Sequence, residues 1–355
     1  MEKNFRFLTG LILSKFKGTP YKLNFAITAA CNSRCLTCNV GRLFQKNPEI
    51  VKTELTILQI DSLFKSLPST ITWLSFSGGE PFLRPDFVEI FALAIKRIPA
   101  LSVISIPSNG LDTQRIIKAV KQILKFTPLP QLFLNFSLDG PPKIHNKIRG
   151  VKDGYQRAWS TYQAIKKLAK KNKNLRVNLE ITVSELNIDY LADFCQKLGE
   201  KGEKITITIA HRGFLYKNED RNGITLNKKS LKKVRKIVQV VDKNLSWFSP
   251  PEFVERLYLR KIVNYIQSPK KQVLPCVALS ASVAVNPYGK ITPCFMWGEN
   301  LGSIEKDNDL MRIWRSARAL AARKMIQSGS CPNCWTPCEA YQTIIWGILT
   351  GHWPS

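Results

Sequence analysis

The chain has no run of eighteen apolar residues, which by length excludes a membrane-spanning helix. Its start does not read as a secretory signal peptide, and no internal repeat is visible. Histidine is scarce, at three residues in 355, and so is acidic charge: 26 Asp and Glu stand against 53 Lys and Arg, a formal net charge of +27. A surface this basic either meets an acidic partner or confers solubility by repulsion. The lysines are spread along helical patterns such as residues 166–171 and 228–233, with no recognisable nucleic-acid module, so nucleic acid is not the expected partner. An acidic electron-donor protein and an anionic membrane surface are. Residues 5–17 mix apolar and basic side chains as an interfacial helix does, and residues 341–349 are unusually apolar; both segments equally suit covers for an open core. Nine cysteines in a secreted chain would suggest disulfides, but their spacing is that of metal ligands, which points to a reducing cytoplasm, with peripheral membrane attachment as a further expectation.

Cys31, Cys35 and Cys38 lie on one short loop, three and then two residues apart. Three thiolates can hold three irons of a cubane cluster and leave the fourth iron open. A zinc knuckle or a chance group of buried thiols would have the same composition. The context differs from both. Residues 23–28 read as a buried strand ahead of the loop, and a second strand at residues 73–77 runs directly into Gly78, Gly79, Glu80 and Pro81.

A Cys-x3-Cys-x2-Cys loop after a first strand, with Gly-Gly-Glu-Pro after a second, resembles the radical S-adenosylmethionine (radical SAM) superfamily over residues 20–215. The resemblance implies that Cys31, Cys35 and Cys38 ligate a 4Fe-4S cluster whose fourth iron is chelated by S-adenosylmethionine. It implies further that Gly78 and Gly79 allow close backbone approach, that Glu80 meets the methionine ammonium, and that Pro81 stiffens the turn. Asn109, Ser137, Asp139 and Arg149 are the other cofactor contacts it suggests, Ser137 and Asp139 near the ribose or carboxylate. Arg149 is either a partner of the methionine carboxylate or a solvated arginine. Thr37 replaces the aromatic residue often found before the third cysteine, so a contact with adenine must come from elsewhere. Turn chemistry alone accounts for residues 108–110 and 137–140. His145 and His211 are candidates for a base or for a hydrogen-bonded rim residue.

Further strands are expected at residues 101–107, 131–137, 175–183 and 204–210, with helices at 57–67, 86–97, 112–124, 155–170 and 188–198. Such alternation gives parallel strands joined by right-handed crossovers. With the resemblance it specifies an α/β fold, a partial (βα)6 TIM-like barrel, whose chemistry sits at the carboxyl ends of the strands. Cys195, in a helical pattern with no cysteine nearby, is a buried apolar residue.

Downstream, Cys276, Cys294, Cys331, Cys334 and Cys338 form a second set, with a hairpin turn at residues 286–289 folding the first two together. The pattern resembles the SPASM and twitch domains of the same superfamily, which implies one auxiliary 4Fe-4S cluster held by four of these five thiols, most simply Cys276, Cys294, Cys331 and Cys334. A four-cysteine zinc site has the same spacing. The expected organisation is a basic amphipathic segment (1–20), a radical SAM partial barrel (21–215), a basic helical connector (216–272) and a SPASM- or twitch-like iron-sulfur domain (273–355). The expected function is reductive cleavage of S-adenosylmethionine and hydrogen abstraction from a peptide, small molecule or lipid, with a ferredoxin or flavodoxin as donor. Two features count against particular substrates: no peptide-recognition domain is visible ahead of the barrel, and the glycine- and arginine-rich terminus of molybdenum-cofactor cyclases is absent. The competing class is a non-catalytic zinc protein that binds nucleic acid through its charge.

Overall fold

The structure is a computed structural model and describes residues 2–307 and 309–351. The third histidine, His352, and the rest of 352–355 lie outside the described residues. Helix α1 (Glu2–Lys17) leads into β1 (Lys22–Thr28); α2 (Val40–Lys46) and α3 (Ile57–Lys65) follow the cysteine loop. Then come β2 (Trp73–Gly78), α4 (Phe87–Arg97), β3 (Val103–Ser108), α5 (Thr113–Ile123), β4 (Gln131–Ser137), α6 (Pro142–Arg149), α7 (Gly154–Ala169), β5 (Leu175–Val183), α8 (Ile188–Glu200) and β6 (Ile205–Ile209). The connector holds α9 (Leu231–Lys243) and α10 (Pro250–Gln267). The last part contains β7 (Ser282–Val285), β8 (Lys290–Thr292), β9 (Gly302–Ser303), α11 (Ile304–Asp307), α12 (Leu310–Trp314), α13 (Ala317–Gln327) and α14 (Pro337–Thr350).

The strands run in the order β6-β5-β4-β3-β2-β1-β7-β8-β9, parallel from β6 to β7 and antiparallel across the last two pairs. The six expected βα units are present in an open, partial barrel. Their strands alternate: in β3 and β4 every second residue is fully buried under the helices and its neighbours are half-buried on the inner face. The helix-side layer is a contiguous apolar core in which rings such as Phe76 and Phe87 meet edge-on at 5.5 Å. Strand β1 is buried throughout because it lies between β2 and β7. The hairpin of the second cysteine set is thus hydrogen-bonded onto the barrel sheet, Lys22 to Phe25 facing Ser282 to Val285.

Strand ends fix the site. A capping box between Thr56 and Gln59 starts α3, and Asp112 caps α5 by accepting from the Arg115 N–H at 3.1 Å. Each such helix start stands over the carboxyl end of a strand. Two helices not expected from the sequence, α2 and α6, stand at the same end and brace the cysteine loop.

Candidate functional site

Cys31, Cys35 and Cys38 are half-buried on the loop after β1. The loop is held from every side. Gly79 and Glu80 donate their N–H groups to the carbonyls of Thr28 and Ala30, both at 2.7 Å. Arg34 and Leu36 donate to the carbonyls of Arg149 and Ile148 at the end of α6, at 2.9 and 2.8 Å. Glu54 accepts from the Ala29 N–H at 2.6 Å, while buried Arg84 donates to the carbonyls of Ile27 and Leu55, both at 2.6 Å. Asn218 and Arg221, from beyond β6, donate to the carbonyls of Thr37 and Leu36 at 2.7 and 2.6 Å.

The glycines are needed for this closeness. Gly78 has φ +129°, and a Cβ there would lie 2.3 Å from the Thr28 oxygen; at Gly79 the clash would be with the Ala30 oxygen at 2.1 Å. Their tightest approach is to the cysteine loop itself. Pro81 opens a short 3-10 turn. Glu80, buried, accepts from the Ser108 hydroxyl at 3.0 Å and from the N–H groups of Asn109 at 2.6 Å and Phe82 at 3.3 Å, tying β2 to β3. Burial pushes its carboxyl up to about 7 against these donors. The Asn109 side chain reaches Asn32 at 2.7 Å and Ser33 at 3.3 Å.

Arg149 is not solvated: its side chain is 14% exposed, forms an ion pair with Asp139 at 2.6 Å and reaches the Cys35 sulfur at 3.9 Å. The Asp139 carboxylate is therefore occupied by Arg149 and by the Thr182 N–H at 3.1 Å. His145 accepts from the Asp139 N–H at 3.0 Å, and burial lowers it to about 4. His211 meets the Tyr265 hydroxyl at 3.2 Å and is lowered to about 4 by the same cause. Burial therefore holds both imidazoles neutral at neutral pH, and His211 also lines the barrel cavity.

A cavity of about 1480 Å³ runs inside the barrel. Cys31, Cys35 and Cys38 open onto it, as do Gly78, Gly79, Glu80, Asn109, Ser137 and Arg149. Sequence reasoning missed several further residues on its wall, among them Lys22, Glu180, Tyr216, Glu255 and Tyr341. The polar alternation of Asn178, Glu180 and Thr182 within β5 was the available signal. Tyr216 supplies an aromatic group on the wall that Thr37 also lines, where the loop has none.

The second set divides four and one. Cys276, Cys294, Cys331 and Cys334 surround a separate small cavity, walled by Met296, Trp297 and Trp335. Cys338, in the first turn of α14, packs against Ala26, Ala284 and Phe295 and opens into the barrel cavity instead. Among the described residues no group of three or more His, Cys, Asp or Glu side chains is arranged to hold a single metal ion; the thiols surround spaces. Burial pushes Cys31, Cys38 and Cys334 up to about 12. Neighbouring thiols push Cys31 and Cys38 further in the same direction. Such sulfurs are poor thiolates alone and good ligands once a cationic centre reverses the local field, so the donor sets fit thiolate-bound clusters.

The sequence matches the Radical SAM superfamily over residues 25–198. It also matches SPASM, an iron-sulfur cluster-binding domain, over residues 276–335. The chain belongs to the radical SAM superfamily. Its cofactors are those of the two regions: a 4Fe-4S cluster that binds S-adenosylmethionine, and auxiliary iron-sulfur binding in the SPASM region. This radical SAM chain is similar to the sporulation killing factor maturation protein SkfB of Bacillus subtilis (strain 168), with 27% identity over 185 residues, 52% of this chain and 40% of SkfB. It is also similar to the antilisterial bacteriocin subtilosin biosynthesis protein AlbA of the same organism, with 23% identity over 304 residues, 81% of this chain and 58% of AlbA. The chain spans about half the length of these curated relatives. Native anSMEcpe with bound AdoMet and Kp18Cys peptide superposes with a TM-score of 0.60 at 17% identity, covering 86% of this chain and 83% of that one, a likeness of fold. No helix among the described residues is long and apolar enough to cross a membrane. Neither family match points to zinc or to nucleic acid.

Proposed function

We propose that the chain is a radical SAM enzyme acting on a peptide. The observation that carries this reading is the convergence of the three-thiol loop and the Gly-Gly-Glu-Pro turn on one cavity at the carboxyl ends of the strands. When bound, the cluster and S-adenosylmethionine would supply radical chemistry: one electron from an external donor would cleave the sulfonium to methionine and a 5′-deoxyadenosyl radical able to take hydrogen from the substrate. Cys31, Cys35 and Cys38 hold the cluster. Glu80 has three donors on a carboxylate with about four acceptor positions, which leaves room for the methionine ammonium. Arg149, aligned by Asp139, presents a cation to the methionine carboxylate beside Cys35. Asn109 and Ser137 line the same wall for the sugar and its substituents. The reaction requires the reacting carbon to be held at the cluster end of this cavity, away from water and stray hydrogen donors.

Cys276, Cys294, Cys331 and Cys334 hold one auxiliary cluster, and Cys338 faces the substrate chamber. The peptide class is supported by the maturation and biosynthesis roles named for SkfB and AlbA and by the peptide bound in anSMEcpe. An acidic ferredoxin or flavodoxin fits so basic a chain as electron donor, an anionic membrane is a second acidic surface it fits, and the cytoplasm is its setting.

Anaerobic reconstitution tests the reading. The reduced protein should convert S-adenosylmethionine to 5′-deoxyadenosine, and the Cys31→Ala/Cys35→Ala/Cys38→Ala variant should lose that product while keeping iron at the C-terminal site. Zinc in place of iron, or a fully reconstituted protein that makes no 5′-deoxyadenosine, would sink it. A change in mass of peptides encoded beside the gene, dependent on these three cysteines, tests the substrate class.

A further inference from the structure

Electron delivery at the cysteine loop accounts for only part of the +27 charge, and the reaction makes no use of the outer side of α1. In a parallel βα barrel each helix ends beside the start of the next strand, so helix C-termini gather at the end opposite the cysteine loop. Those ends are rich in lysine. Lys121 and Lys125 close α5, Lys170, Lys171 and Lys173 follow α7, Lys201 follows α8, and all six are exposed. Several acids at this end already have cationic partners: Asp61 pairs with Lys65 and Arg97, Glu203 with Lys166, Glu252 with Lys204, and Asp242 with Arg256. Helix dipoles favour cations at these positions in any protein, so charge alone names no partner.

Helix α1 supplies the second observation. It lies across the same end, where a Cβ on Gly10 would fall 2.1 Å from the Thr72 side chain and Thr19 and Thr70 share a hydrogen bond at 2.8 Å, just ahead of β2. One side of the helix, carrying Phe7 and Leu11, packs on Tyr21, Trp73 and Trp346. The other carries Phe5, Leu8, Ile12 and Phe16, which are 71%, 48%, 47% and 82% exposed and spaced three and four residues apart, so they form a single stripe. The turn between α9 and α10, at this end too, exposes Phe248 at 98%. A helix that covers a core with one side and shows apolar residues among lysines on the other has the composition of an interfacial anchor.

We propose that this end of the barrel docks on an anionic lipid bilayer. The outer stripe of α1 and Phe248 insert at headgroup depth, and the lysines of the helix ends lie over the anionic headgroups. The barrel cavity reaches this face, where Phe7, Leu8, Pro250 and Pro251 line it, so docking turns one end of the cavity toward the bilayer and leaves the cysteine loop facing water. The inference rests on the surface and holds whatever the substrate.

The test is co-sedimentation of the anaerobically purified full chain with vesicles of phosphatidylcholine alone and of phosphatidylcholine mixed equally with phosphatidylglycerol. Binding to the anionic vesicles should be at least tenfold tighter and should weaken as salt rises. Phe5→Asp/Phe16→Asp should weaken it at least tenfold, and so should Lys170→Glu/Lys171→Glu/Lys173→Glu, each with the visible cluster absorption of the parent as a check on folding. Equal sedimentation with both vesicle types would overturn the proposal, as would anionic binding that survives both variants. Stronger binding to duplex DNA than to the anionic vesicles in direct competition would assign the basic face to nucleic acid instead.

Discussion

At Gly79 a Cβ would lie 2.1 Å from the Ala30 oxygen and 3.0 Å from the Cβ of Cys31, so the smallest possible substitution presses on the cluster loop. Overpacking of this kind costs about 1–3 kcal/mol. Gly79→Ala should lower thermal stability accordingly and lose iron from the Cys31 set first, and iron per chain measured with and without the C-terminal thiols separates the two sites. Glu255 makes a different residue-level case. Burial pushes it up to about 8 even though Tyr341 and the Ile207 N–H donate to it. A folded value above the unfolded one means that its contribution to stability is full below about pH 4.5 and is lost as pH rises through about 8. The melting temperature of the parent should therefore fall further than that of Glu255→Gln between about pH 5 and about pH 8.5, by a few degrees. Identical slopes in the two proteins would show that Glu255 titrates as an ordinary surface carboxylate.

Among elements, what was legible in the sequence was what repeats locally. The spacing of Cys31, Cys35 and Cys38, the Gly78 to Pro81 turn and the strand and helix periods each lie within a few residues, and six βα units followed from them. Pairing between β1 and β7 did not, because a parallel partner more than two hundred residues away leaves no trace in either strand's own pattern. The roles of Arg84 and Glu180 stayed hidden for the same reason: which face of a strand or turn looks inward is decided by its neighbours. The division of the second cysteine set into four and one, already the simplest reading of the sequence, has its structural cause in α14 lying against β1, where Lys22 donates to the Cys338 carbonyl at 2.8 Å and to Gln342 at 2.7 Å. The hairpin of β7 and β8 is testable as a unit. Gly289 has φ +74° and a Cβ there would meet Leu55 at 2.9 Å, while the Leu55 N–H donates to the Pro287 carbonyl at 2.8 Å. A β-branched residue in that conformation costs about 2 kcal/mol before the contact is counted. Gly289→Val should reduce stability in denaturant by at least that much and shed iron from the Cys294 site while sparing the Cys31 set; Gly289→Ala should do less.

For the whole molecule, the positive charge has two ends to act at, and the proposed donor and the proposed bilayer divide between them. Lysines of the helix C-termini face away from the cluster loop, whereas Lys46 at the end of α2 and Arg212 beyond β6 are exposed beside its mouth. An acidic electron donor must approach that mouth to come near the cysteine loop, so its encounter depends on the mouth charges, and rim charges change association rates more than they change the bound state. Lys46→Glu/Arg212→Glu should therefore raise the flavodoxin concentration needed for half-maximal 5′-deoxyadenosine formation by about tenfold at low salt, with a Debye length near 10 Å at about 0.1 M, and the difference should shrink as salt rises. Activity driven by a small chemical reductant should stay unchanged in the same variant, because chemistry at the cysteine loop is untouched. Charge reversal at Lys170 and Lys171 should leave the flavodoxin response intact. If reversal at either end shifted that response equally, the donor would be reading the summed field of the protein, and the assignment of donor and bilayer to opposite ends of the barrel would lose its electrostatic basis.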